Sequence, residues 1–280
     1  MNSAFMLLKC APACFSCDQL SYDLRCDQFF RHQANHSSND IWQPGDLNRF
    51  FERITAPNSS YLQPSQAITI LSQPRPENGH ALPWVITIDH FLTDEECDRF
   101  IQFGEEKGFE PSTWSGEVQS DGSIENIASE ARTSSNTWCD TTCAIDPVVQ
   151  NVSRRIETLT GVPPINTELF QLLKYTQGQY YHPHNDFNPP HVTRPPGPRI
   201  LTVFLYLNTV PAGGGTRFVH LNQTVAAVRG RAVIWSSVQD QNLNAMDVWT
   251  DHEALPVAHG VKYAANAWVR TARECKNCGV

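Results

Sequence analysis

The chain has 280 residues, 40% of them hydrophobic and 18% charged, with a formal net charge of -8. Such a length and composition fit a globular protein of one large or two smaller domains, able to bury a core without staples. The acidic balance, with no basic run anywhere, excludes a protein built to clamp a nucleic-acid backbone. No stretch approaches the roughly 18 apolar residues of a membrane span.

The first tenth is dense in cysteine. Cys10, Cys14, Cys17 and Cys26 fall there, Cys97 stands alone, Cys139 and Cys143 are close together, and Cys275 and Cys278 end the chain. Nine cysteines leave at least one thiol free or paired between chains. Together with N-x-S/T sequons at Asn35, Asn58, Asn151 and Asn222, they point to an oxidising compartment, the endoplasmic reticulum lumen or secretory pathway. A small-loop disulfide between Cys139 and Cys143 is expected. Cys275-x-x-Cys278 lacks a second C-x-x-C partner, so a zinc site is not. The opening "MNSAFMLLKCAPAC" has no basic region followed by a long apolar one, so no signal peptide is read. Either the N-terminus is incomplete or the secretory reading fails. "FMLLKCAPACFSC", inside residues 1–26, resembles the closing half of a ShK-type Cys-rich domain.

Residues 27–80 are polar and interrupted by Pro and Asn, and read as a linker with one short helix, "GDLNRFFERITAP", N-capped by Asp46 and followed by Pro57. The main domain is expected over residues 81–280. It opens with a β-branched strand in "ALPWVITIDHFLT". A helix follows in "TDEECDRFIQFGEEKG", with a capping box of Thr93 and Glu96 and a stop at Gly108. "DPVVQNVSRRIETLTG" predicts a second helix: Asp146 caps it, Pro147 takes its first position, and Val148, Val152, Ile156 and Leu159 line one face. From Glu168 onward short strands replace helices: "ELFQLLKY", "RILTVFLYLN", "TRFVHL", "RAVIWSSV", "HEALPV" and "KYAANAWVR". Helices first and many short strands later predict an α+β domain whose sheets form a sandwich or barrel.

The stretch "GQYYHPHNDFNPPH" holds His182, His184, Asp186 and His191. Two histidines and a carboxylate on one face of a metal, with other positions open, are the ligands of non-haem iron oxygenases. Residues i and i+2 of a strand point the same way, so His184 with Asp186 fits, and so by parity does His182 with His184. His191, beyond two prolines, is the weakest candidate. A third ligand should come from a distant strand: His220, His252 or His259. A dicarboxylate cosubstrate on the metal also requires a buried cation at its far end. Lys262 follows His252 on the neighbouring predicted strand, with Trp268 on its face by even spacing, which selects His252.

The ordered series "EARTSSNTW", "ELFQLLKYTQGQYYHPHND", "RILTVFLYLNTVPAGGGTRF", "GRAVIWSS" and "HEALPVAHGVKYAANAWVR" resembles the 2-oxoglutarate- and Fe(II)-dependent prolyl 4-hydroxylase family over about residues 82–270. The resemblance implies a double-stranded β-helix, a jelly-roll or cupin-like core, with flanking N-terminal helices. It implies His184, Asp186 and His252 as iron ligands. Lys262 would bind the distal carboxylate of 2-oxoglutarate, helped by the hydroxyls of Tyr175 and Thr216. Tyr181, Arg199 and Trp268 would line a peptide groove, joined by Glu168. His182 and His191 would be solvent-facing or would stand behind the site. The implied reaction is hydroxylation at C4 of a prolyl residue with Fe(II), O2, 2-oxoglutarate and ascorbate, giving succinate and CO2. The implied partner is a proline-containing peptide or protein, with no nucleic acid. Two other readings are a hydroxylase of another side chain or small molecule, and a non-catalytic barrel binding Pro-rich ligands. The chain departs from the family at Gly213-Gly214-Gly215-Thr216, where G-G-E-T is usual.

Overall fold

The computed structural model describes residues 41–57, 59–74, 82–118, 124–128, 130–193 and 197–271. The ShK-like segment, the cysteines within it, Cys275, Cys278 and the sequons at Asn35 and Asn58 lie outside them.

The helices are α1 (Asp46–Thr55), α2 (Asp94–Lys107), the single turn α3 (Thr141–Ala144) and α4 (Pro147–Thr160). The strands are β1 (Ala67–Ser72), β2 (Val85–Asp89), β3 (Glu110–Pro111), β4 (Thr113–Val118), β5 (Ile124–Ala128), β6 (Ser135–Trp138), β7 (Gln171–Tyr175), β8 (Tyr181–His184) and β9 (Arg199–Tyr206). There follow β10 (Ala212–Gly213), β11 (Thr216–Phe218), β12 (Gln223–Val225), β13 (Ala232–Ser236), β14 (Val238–Gln239), β15 (Asn242–Met246), β16 (His252–Ala254), β17 (Val257–His259) and β18 (Lys262–Arg270).

An eight-stranded sheet in the order β1-β2-β13-β9-β18-β7-β6-β3 faces a four-stranded sheet, β12-β11-β16-β8, in a jelly roll. The pairings within both are antiparallel. Strand alternation sorts the large sheet into two layers. Leu172, Val203, Leu205, Ile234, Ala265 and Ala267 pack outward beneath the helices. Leu173, Tyr175, Phe204, Tyr206, Val233, Trp235 and Ala264 face inward, toward the small sheet. Lys262 pairs with Tyr175, Ala264 with Tyr206 and Trp268 with Thr202, so Lys262 and Trp268 share the inner face.

The helix signals hold with two adjustments. Thr93 and Glu96 form the expected capping box, and Asp146 caps α4 ahead of Pro147. Glu96 also takes two hydrogen bonds from Arg155 at 2.7 and 2.8 Å, tying α2 to α4. The buried stripe of α4 begins at Val149, not Val148. The N-cap of α1 is Gly45, in the left-handed region at φ 91°, and Asp46 is the first helical residue. Its carboxylate accepts from the Gln43 N–H and pairs with Arg49, so the acid is spent on the turn rather than on the helix amides. Cys139 and Cys143, at the end of β6 and in α3, are bridged as expected.

Residues 42–72 are not a linker. Leu47, Phe50, Phe51 and Ile54 of α1 join the outer core, a stripe at helical spacing. Phe51 stacks on Trp84 with the rings 8° from parallel, and the Trp84 indole donates to Asn48 at 3.0 Å. Strand β1 then completes the edge of the large sheet against β2. Polar composition hid this segment's role, because only one face of α1 and part of β1 are covered.

Candidate active site

The small sheet brings two of the expected ligands into register: His252 of β16 pairs with His184 of β8. Asp186, two residues past His184, turns toward the large sheet and accepts from the Thr202 hydroxyl at 2.6 Å. One donor atom from each of His184, Asp186 and His252 lies within 4.8 Å of the others. Both histidines place Nδ1 on a backbone carbonyl, His184 on His182 at 2.8 Å and His252 on Thr250 at 2.9 Å. A carbonyl only accepts, so each Nδ1 carries a proton, and it is Nε2 of each ring that a metal would take. His252 Nε2 stands 4.0 Å from Asp186 Oδ2.

The electrostatics favour the ligating forms. Burial, with the neighbouring His252, pushes the His184 imidazole down to about 3, so it is neutral at physiological pH. Burial acts to raise the Asp186 carboxyl, but His252, His184 and the Thr202 hydroxyl outweigh it and hold it below the usual carboxylate range. A carboxylate oxygen and two imidazole nitrogens are the donor set of a non-haem iron centre. His182 is exposed, its ring tilted 52° against that of Tyr180. Of the two alternatives for His191, solvent-facing or behind the site, the first does not hold: it is buried and lies 3.4 Å from the Asn188 amide. His220 contacts Asp251 at 3.4 Å, and His259 is exposed on β17.

Lys262 is 0% exposed, and its Nζ has no hydrogen-bond partner. It lies 4.9 to 5.3 Å from the ring centres of Tyr175, Phe204 and Tyr206. Burial pulls its pKa down to about 7. A buried ammonium held only by aromatic faces is costly, and an incoming carboxylate relieves that cost. The residues present therefore fit a dicarboxylate, the His–Asp–His cluster serving one end and Lys262 the other. Thr216 faces the same space, its Oγ1 accepting from the Tyr206 hydroxyl at 2.7 Å. The Tyr175 hydroxyl bonds Ser134.

Tyr206, Phe204, Thr202 and Trp235 were not singled out from the sequence. Thr202, Phe204 and Tyr206 alternate along β9, and Thr202 is the lone polar residue in "ILTVFLY", a signal of its inward face. The missing glutamate of the glycine run also has a reason. A Cβ on Gly215 would meet the Val225 carbonyl oxygen at 2.8 Å, so here β12 lies close against that backbone.

At the Trp268 end of the inner face the remaining expected residues gather. Glu168 receives both arms of Arg199 at 2.6 and 2.8 Å and contacts Arg270 at 2.7 Å. Burial would raise the Glu168 carboxyl, but the two guanidinium charges hold it well below its ordinary range. The Arg199 guanidinium lies 3.5 Å above the Trp268 ring, whose buried indole N–H has no hydrogen-bond partner. Tyr181 stacks on His184 at 3.5 Å, with the Arg132 guanidinium 4.8 Å from its ring centre. Arg132, inside the quoted "EARTSSNTW", went unnoticed as a site residue because nothing local distinguishes it from a surface arginine.

Residues 170–270 match the 2OG-Fe(II) oxygenase superfamily. The chain is 31% identical over 220 residues to human "Prolyl 4-hydroxylase subunit alpha-3", a match covering 75% of this chain and 38% of that one. With "Probable prolyl 4-hydroxylase 8" of Arabidopsis thaliana it shares 30% identity over 207 residues, 66% of this chain and 68% of the relative. Among solved structures it is similar to the viral collagen prolyl hydroxylase of Paramecium Bursaria Chlorella virus-1 in its 2OG complex. The TM-score is 0.51 at 27% identity, covering 67% of this chain and 96% of that one. The chain thus spans well under half the length of its animal relatives and about two thirds of the plant one. Identity sustained over that share of the plant relative, across the sheets that assemble the cluster, establishes that this chain belongs to the prolyl 4-hydroxylase family of the 2OG-Fe(II) oxygenases.

Proposed function

We propose that the chain is a peptidyl-proline 4-hydroxylase that uses Fe(II), O2 and 2-oxoglutarate. The observation that carries this reading is the pairing of a three-donor cluster with a fully buried, unpartnered lysine on one inner face. His184, Asp186 and His252 hold the iron. Lys262 anchors the distal carboxylate of 2-oxoglutarate, with Tyr175 and Thr216 as hydroxyl neighbours and Tyr206 fixing Thr216. When bound, iron and 2-oxoglutarate supply the oxidising chemistry, the cosubstrate leaving as succinate and CO2, and ascorbate serves as reductant.

The chain's own residues select and orient the substrate. A prolyl segment has no N–H to donate, so its carbonyls need donors from the protein and its rings need flat apolar walls. Tyr181 and Trp268 offer such walls beside the cluster. The Trp268 indole N–H offers a donor, and Arg199, braced by Glu168, lies over that ring. The apolar rings of Phe204, Phe218 and Trp235 exclude water from the inner space. Secretory location is part of this proposal, supported by the Cys139–Cys143 bridge and by the exposed sequon asparagines Asn151 and Asn222. Among the described residues no helix is long and apolar enough to cross a membrane.

Incubation with Fe(II), ascorbate, 2-oxoglutarate and Pro-rich peptides should release succinate in a peptide-dependent way, and His184→Ala should abolish it. Succinate formed with no modified peptide would move the substrate to another side chain or small molecule. Absence of succinate with every peptide and with none would remove the oxygenase reading.

A further inference from the structure

We infer that Asn185, the residue between two of the ligands, is a positioning residue that sets the spacing of the metal site and hence its affinity for metal. The inference rests on the proposed iron centre. The ladder between β8 and β16 ends at the His184–His252 pair. Beyond it, no further rung fixes the segment before His252 against the segment carrying Asp186. The Asn185 side chain takes over that task. Alternation turns it away from the cluster that His184 and Asp186 face. Its Nδ2 donates to the Asp247 carbonyl at 2.9 Å, to Asp251 Oδ1 at 2.9 Å and to Thr250 Oγ1 at 3.3 Å. Its Oδ1 accepts from the Phe187 N–H at 2.9 Å.

The contacts close a loop of constraints around the ligands. Thr250 and Asp251 immediately precede His252, and the Thr250 carbonyl is the group that holds His252 Nδ1. The Thr250 hydroxyl in turn donates to the same Asp247 carbonyl that Asn185 reaches. On the other side, the Phe187 bond curls the chain just after Asp186, whose carboxylate is tied to Thr202. One amide therefore joins the two segments that supply all three ligands. The geometry needs both halves of an amide: a donor pair for three oxygens, and an acceptor for one N–H. A carboxylate of the same shape has no proton for Asp251 and would repel it.

The plainer alternative is that Asn185 only satisfies loop polar groups. Metal affinity separates the two. Co(II) is titrated into the metal-free full chain, the iron dependence of turnover is measured, and thermal unfolding of the metal-free protein is followed. Asn185→Ala is expected to weaken Co(II) binding by about 10-fold or more, the range seen when groups orienting ligands are removed. It should raise the Fe(II) concentration for half-maximal turnover by a similar factor, with kcat restored at saturating Fe(II). Asn185→Asp should be no better. Asp251→Asn, which keeps an oxygen acceptor, should retain Co(II) affinity within about threefold of the parent, and should do so even if the Asn185 variants fold poorly. Parent-like Co(II) affinity in folded Asn185→Ala overturns the inference, as does an Asp251→Asn loss equal to that of Asp251→Ala. Failure of the parent chain itself to bind Co(II) would instead remove the iron-site reading beneath it.

Discussion

Replacing Lys262 by Met should stabilise the metal-free protein while abolishing its use of 2-oxoglutarate. The side chain is 0% exposed with no partner for Nζ, and Met preserves most of its apolar length. Burial lowers the lysine from 10.5 to about 7. In the unfolded chain it stays protonated up to 10.5, so between these values folding expels a proton and stability is lost as pH falls. The penalty is complete below pH 7 and vanishes above the unfolded value. It amounts to about 4 kcal/mol at pH 7 and about 2 kcal/mol at pH 9. Urea unfolding of both proteins without metal should show Lys262→Met more stable by an amount that halves between those pH values. The variant should bind 2-oxoglutarate at least about 30-fold more weakly, since a buried carboxylate would lose its counter-charge. A variant no more stable than the parent at pH 7, or an advantage that does not change with pH, would refute the claim that an uncompensated ammonium waits in this pocket.

Removal of the Tyr206 hydroxyl in Tyr206→Phe frees Thr216 Oγ1, and should raise the KM for 2-oxoglutarate about fivefold, equivalent to about 1 kcal/mol, with the iron dependence unchanged. Phe51→Ala should lower unfolding stability by about 3–5 kcal/mol in urea titrations, because the ring is fully buried against Trp84. A loss under about 1 kcal/mol would return residues 42–72 to the status of a linker. If the chain is secretory, Asn222, exposed at φ 50° in the turn between β11 and β12, should carry a glycan in secreting eukaryotic cells. Peptide-N-glycosidase digestion should then shift the parent and shift Asn222→Gln less.

Much of the site was readable because its signals are local or evenly spaced. His184-x-Asp186 declares a shared face, and the even interval from Lys262 to Trp268 is preserved by a strand without a break across those residues. The helix boundaries at Thr93 and Asp146 were legible for a similar reason: capping is chemistry between near neighbours. What escaped depends on distant partners. Asn185 looks like filler until the turn at Asp247–Asp251 folds beside it, and Arg132 has meaning only over the Tyr181 ring. The inner face of β9 was hidden because both faces of that strand are buried, which removes the alternation that would reveal it. The strand geometry behind His184-x-Asp186 is realised only up to His184: β8 contains Pro183, tolerated because β8 lies at the edge of the small sheet. The apolar stripe of α1 was present in the sequence but outvoted by its polar surroundings.

The central claim is that this site places oxygen on proline. Mass spectrometry of a Pro-rich peptide library after turnover with Fe(II), ascorbate and 2-oxoglutarate tests it most directly. The account predicts one added oxygen atom per modified prolyl residue, at C4, in step with succinate released and absent from His184→Ala. Succinate released in the same reaction with every proline unmodified, or oxygen found only on other side chains, would contradict it.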